Sequence, residues 1–135
     1  MSEPENRSHA RIWLRYAAED LEAAQELLDA SVSPRHVCFL AQQSAEKAIK
    51  AVLVFLQVDF PKSHDLEALA NLLPDDCRIR GLRAELPALT EWAIEARYPG
   101  NWPEASTADA ENSIRTVKEV VSAAESDLES RGLGR

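Results

Sequence analysis

VCFLAQQSAEKAIKAVLVFLQ, residues 37–57, is the stretch that decides how the rest of the chain is read. Wound as a helix at about 100° per residue, it puts Val37, Leu40, Ala41, Ser44, Ala45, Ala48, Ala51, Val52, Phe55 and Leu56 on one side. His36, Gln43, Glu46, Lys47, Lys50 and Gln57 fall on the other. This is a core helix with one polar stripe. Its apolar side is largely small residues, so neighbouring helices can approach near the short end of the usual ~8–10 Å separation. Glu46 and Lys50 stand four apart in the favourable order for a helical ion pair, worth about 0.2–0.5 kcal/mol if exposed. The stripe is either a solvated face or the place where the chemistry sits.

Outward from this helix, residues 9–30 repeat Trp13, Leu14, Ala17, Leu21, Ala24 and Leu28 at spacings of three and four, with Arg11, Arg15, Glu19, Glu22 and Glu26 opposite. Asp20 falls at the edge of that apolar stripe. It either meets water or pairs with Lys47 or Lys50 across the helix interface, because an unpaired buried carboxylate is costly. Ser33 is expected to cap the central helix, with Pro34 in its first turn. The short turn makes the two long helices antiparallel. Pro61 interrupts the chain after Gln57, and a short helix is predicted over 64–73, with Ser63 or His64 as cap and Pro74 as stop. Ile79, Leu82, Leu86, Leu89, Ala93 and Ala96 keep helical spacing, with a kink or break at Pro87. Pro99, Gly100 and Pro103 mark a loop in which Trp102 is expected to act as an anchor. The last helix starts near Thr107, capped by Ser106 or Thr107, and stops at Gly132.

The predicted architecture is therefore all-α, with the two long helices antiparallel and no sheet. Residues 1–8 form a disordered N-terminal tail and 9–131 a single domain. With 135 residues the chain buries enough surface to fold without a staple. A hydrophobic fraction of 45% with only 4 glycines fits a helical globular protein. The net charge of −8 argues against broad binding of duplex DNA, though a local basic pocket is compatible with it. Cys38 and Cys77 are too few for a disulfide framework and are read as reduced thiols. No apolar run approaches the roughly 20 residues of a membrane span, and no signal core precedes Ala10, so the expected location is cytoplasmic.

Metal binding is not expected, because His9, His36 and His64 lie far apart and no His or Cys pair has ligand spacing. The glycines form no phosphate loop, and no base is apparent beside Cys38 or a serine. What remains is the central polar stripe, His64, and the segment Ala96-Arg97-Tyr98-Pro99-Gly100. If Lys47, Lys50, His64 and Arg97 converge, they make a cationic pocket for a phosphate or nucleotide, with Tyr98 at its rim. Asp20, Gln43 and Glu46 would support them.

Four motifs carry a resemblance: Ala17-x-x-Asp20-Leu21-x-x-Ala24; Phe39-x-x-Gln42-Gln43-x-x-Glu46-Lys47-x-x-Lys50-Ala51; His64-Asp65-Leu66-x-x-Leu69; and Ala96-Arg97-Tyr98-Pro99. In this order the sequence resembles the HEPN domain family over residues 10–128. The resemblance implies an up-and-down bundle of four to five helices, commonly a homodimer, often paired with a minimal nucleotidyltransferase in toxin–antitoxin-like two-component systems. Some members are metal-independent ribonucleases marked by an Arg followed, after four to six residues, by a His. That signature is absent here. The expected role is noncatalytic binding of a nucleotide, an RNA end or a nucleotidyltransferase partner, with no cofactor. The alternative is a ribonuclease in which His64 acts as acid or base and Arg97 stabilises the developing charge.

Overall fold

The computed structural model describes residues 3–93 and 104–133, and every regular element in them is helical. In chain order these are α1 (Glu3–Asp29), α2 (Pro34–Phe55), α3 (Leu66–Ala70), a 3-10 helix (Arg78–Glu85), α4 (Leu86–Thr90) and α5 (Thr107–Ser130). The result is five α-helices with α2 as the spine, flanked by α1 and α5. None of the helices in the described residues is long and apolar enough to cross a membrane.

Small residues set the α1–α2 contact. Ala10, Ala17 and Ala24 recur every seventh position of α1 and are fully buried, as are Ala41, Ala45 and Ala48 of α2. The two backbones come close enough for Ser44 Oγ to donate to the Ala17 carbonyl at 2.6 Å. The spine is also wrapped more completely than its wheel suggests. Ile49 and Leu53, outside the predicted apolar arc, are fully buried, and so is Gln42. Cys38 and Cys77 are free and buried.

The tail expected at 1–8 is corrected over its described part, because α1 already begins at Glu3. Asn6 is buried, and Arg7 donates to the Gly132 carbonyl at 2.8 Å while lying over the Phe55 ring. These contacts to distant parts of the chain hold the first turns. The domain likewise runs on to Leu133, which is buried.

The helix ends explain the remaining differences. Ser33 stands at the N-cap of α2 in a left-handed conformation, but its hydroxyl meets the His36 ring and makes no backbone cap bond. Asp65, not Ser63 or His64, caps α3 by accepting from Ala68 N, and α3 is shorter than predicted. The run before Pro87 tightens into the 3-10 helix, and the break falls at Glu85–Leu86, leaving Pro87 in the first turn of α4, where a missing N–H is harmless. Ser106 and Asp109 form a capping box at the start of α5. At its end Gly132, with φ 94°, lets Leu133 N reach back to the Leu128 carbonyl at 3.0 Å.

Candidate functional site

The middle of the polar stripe of α2 is not a wet surface, although its ends at His36 and Gln57 are exposed. Glu46 and Lys50 are only 5% and 8% exposed. Glu46 is the hub. Its Oε1 contacts His64 Nδ1 at 2.7 Å and accepts from Gln42 Nε2 at 3.2 Å, while Oε2 accepts from Lys50 Nζ at 3.0 Å. Gln42 Nε2 also donates to the His64 carbonyl at 3.4 Å, and Gln43 Nε2 donates to Gln42 Oε1 at 2.7 Å. One buried carboxylate thus gathers donors from its own helix and from the segment leading into α3.

Burial alone pushes the Glu46 carboxyl up, but hydrogen bonds from His64 and Lys50 and the attraction of their charges outweigh it and hold the group below the ordinary carboxylate value. Glu46 is therefore ionised at neutral pH. An ionised carboxylate only accepts, so the His64 proton on this side sits on Nδ1, and in the neutral ring Nε2 is an acceptor. The His64 side chain keeps 30% of its surface exposed, so the network opens to solvent at its histidine end.

Lys50 is held on three sides. Its Nζ lies 5.7 Å from the centre of the Trp13 ring and 5.5 Å from that of Phe60, with Glu46 as its counter-ion. An ammonium desolvated between two aromatic faces and a carboxylate is well compensated. The ion pair with Glu46 is therefore a buried one, which decides between the solvated and the functional stripe that the sequence left open. Lys47, one residue after Glu46, points elsewhere and meets Asp20 Oδ2 at 2.6 Å, with side chains 25% and 21% exposed.

The structure thus brings Glu46, Lys50, His64 and Gln43 into one network and places Asp20 on Lys47 rather than Lys50. Lys47 with Asp20 forms a separate pair beside that network. Arg97 and Tyr98, with Trp102, lie outside the described residues. Three contributors escaped the sequence reading of the site. Gln42 was readable, because it stands one turn before Glu46 on the same stripe. Trp13 is two turns before Asp20 on the α1 face that meets α2. Phe60 gave no periodic signal, since it lies in the irregular segment before Pro61.

Outside this network the chemistry is quiet. Burial raises the Cys38 thiol against the lowering effect of a hydrogen bond with Ser113, and burial likewise raises Cys77, so neither is disposed to be a thiolate. Among the described residues no group of His, Cys, Asp and Glu is arranged to hold a metal ion.

Comparison with known proteins fits this geometry. The protein TT1696 of Thermus thermophilus superposes with a TM-score of 0.77 at 27% identity, covering 89% of this chain and 98% of that one. ST0689, an archaeal HEPN homologue, superposes with a TM-score of 0.67 at 23% identity, covering 87% and 96%. No curated protein matches the chain. The family model described as HEPN domain matches residues 10–127, from the first turns of α1 to the last turns of α5. With nearly all of the bundle and its buried network inside that match, the chain belongs to the HEPN domain family.

Proposed function

We propose that this HEPN chain is a noncatalytic binding protein, a homodimer that takes a nucleotide or other phosphate-bearing ligand and works with a minimal nucleotidyltransferase in a two-component, toxin–antitoxin-like system. The observation that carries the reading is the state of Glu46, a buried carboxylate satisfied by three side chains, one of which, His64, is 30% exposed. Such a network is rigid support for a mouth, not a mobile surface. Lys50 and Glu46 then act as positioning groups. The direct contacts to a phosphate come from His64 and from Lys47, whose partly exposed pairing with Asp20 is of the kind worth up to about 1 kcal/mol and yields to a doubly charged anion. Arg97 is assigned to the same phosphate and Tyr98 to the base.

The test is calorimetric titration of the purified protein with nucleoside mono-, di- and triphosphates, repeated on Lys47→Ala and His64→Ala. The expected result is binding to the wild type that weakens at least about tenfold, roughly 1.4 kcal/mol, in each variant. Absence of binding with every nucleotide overturns the ligand half of the proposal. Co-purification with a nucleotidyltransferase tests the other half separately.

A ribonuclease reading is favoured by one specific contact. Glu46 on His64 Nδ1 fixes the ring and its tautomer while the side chain stays 30% exposed, the arrangement a general acid or base requires. Under that reading clean wild-type protein cleaves RNA and His64→Ala does not. No cleavage by the wild type removes it.

A further inference from the structure

A second surface, sharing no residue with the Glu46 network, has its own chemistry. Between the 3-10 helix and α5 runs a groove of about 470 Å3 lined by Arg78, Leu82, Lys118, Glu119, Ser122 and Ala123. The 3-10 wall is fixed from below. Asp127 of α5, itself buried, accepts from Arg78 N at 2.8 Å and Ile79 N at 3.3 Å and so ties the start of that wall to α5. Nearby cations are already matched with carboxylates, Arg80 to Asp75 at 3.2 Å and Arg131 to Asp76 at 2.7 Å. The exposed side chains of Arg78 and Lys118 hold no ion pair among the described residues. Arg115, one helical turn before Lys118, gives one donor to Asn112 Oδ1 and likewise has no carboxylate partner among the described residues. In a protein of net charge −8, two cations without a carboxylate partner among the described residues thus line one groove, beside Glu119 and across a floor made by Leu82 and Ala123.

We propose that this groove docks an acidic, extended segment of a protein partner, seating one apolar side chain on Leu82 and Ala123 between carboxylates held by Arg78 and Lys118. The lining favours a peptide over a nucleic-acid strand. No aromatic side chain lines the groove to stack a base, and Glu119 stands in the path of a continuous phosphate backbone. Carboxylates spaced by apolar residues avoid Glu119 and use the floor. Arginine suits the carboxylate on one wall through its planar fork, and lysine supplies a compact charge on the other.

The experiment uses a fluorescein-labelled peptide of twelve residues repeating Glu-Asp-Leu, with a uridine oligonucleotide of equal charge as comparison. Anisotropy is read on the wild type, Arg78→Glu/Lys118→Glu, Glu119→Gln and Lys47→Ala, each checked for an unchanged circular dichroism spectrum. The peptide should bind the wild type and Lys47→Ala alike, lose about tenfold or more with the double reversal, and gain about threefold with Glu119→Gln. Replacing its leucines by serine should also weaken it. The inference is overturned if the peptide does not bind, if the reversal leaves its affinity unchanged, or if the oligonucleotide binds this groove more tightly. Loss of nucleotide binding in Lys47→Ala with peptide binding intact separates this surface from the ligand site.

Discussion

Glu46 is the residue on which the functional account depends, because one carboxylate answers a lysine, a histidine and a buried amide. Glu46→Gln keeps the shape and removes the charge, leaving Lys50 desolvated beside Trp13 and Phe60 without its counter-ion. The expected cost is about 3 kcal/mol in denaturant unfolding, in the range for breaking a buried pair. The same residue gives the protein an acid-sensitive stability. Its folded carboxyl titrates below its unfolded counterpart, so the contribution is complete above the unfolded value near about 4.3 and is lost as pH falls through the lower folded value. Unfolding free energy should decline on acidification below about pH 5, and Glu46→Gln should flatten part of that decline. At this scale the sequence told which residues were candidates but not their environment. Glu46, Lys47 and Lys50 share one helix face, and spacing alone cannot say that Lys50 is roofed by rings from α1 and from the segment before Pro61. The Asp20–Lys47 pair was half legible, since wheel positions name both lysines as partners and only the helix register chooses between them.

Among the elements, three helix ends are closed by the same device. Ser31, Gln57 and Gly132 have φ of 58°, 57° and 94°, and in each case the following N–H reaches back five residues, Val32 to Leu27, Val58 to Leu53 and Leu133 to Leu128. Only the last uses glycine. A side chain in the left-handed region costs about 1 kcal/mol, so Gly132→Ala should destabilise by about that amount and Gln57→Gly should stabilise by up to about that amount, read as opposite shifts of the denaturation midpoint. The 3-10 helix depends on one distant group, because Asp127 satisfies two of its first N–H donors. Asp127→Ala should cost about 2 kcal/mol, with amide exchange accelerated first over 78–85. Long elements were legible because apolar spacing persists over many turns. The Ser106 cap and Gly132 stop were legible from local chemistry. Residues 3–8 were not, since their helix depends on Asn6 being buried and on Arg7 reaching an acceptor at Gly132, far away in sequence. The short helix after His64 was misread for a related reason: His64 and Asp65 are both plausible starts, and His64 is drawn away by Glu46.

For the molecule as a whole, the alanine-lined contact of α1 with α2 brings Glu46 and Lys50 under cover and leaves His64 part-exposed, while the 3-10 helix and α5 present a separate groove lined by Arg78 and Lys118 on an acidic protein. The bundle is the family's; the assignment of ligand and partner is carried by the two surfaces it builds. The central claim is that Glu46 fixes His64 from behind so that its outer nitrogen meets a phosphate-bearing ligand. It is tested most directly by 15N nuclear magnetic resonance of the His64 ring during a nucleotide titration of wild type and Lys47→Ala. The account predicts that Nδ1 stays protonated on Glu46 throughout while Nε2 shifts on nucleotide addition, with the Nε2 shift much reduced in Lys47→Ala. A ring whose Nε2 is unmoved by every nucleotide, or whose Nδ1 carries no proton at neutral pH, would contradict it.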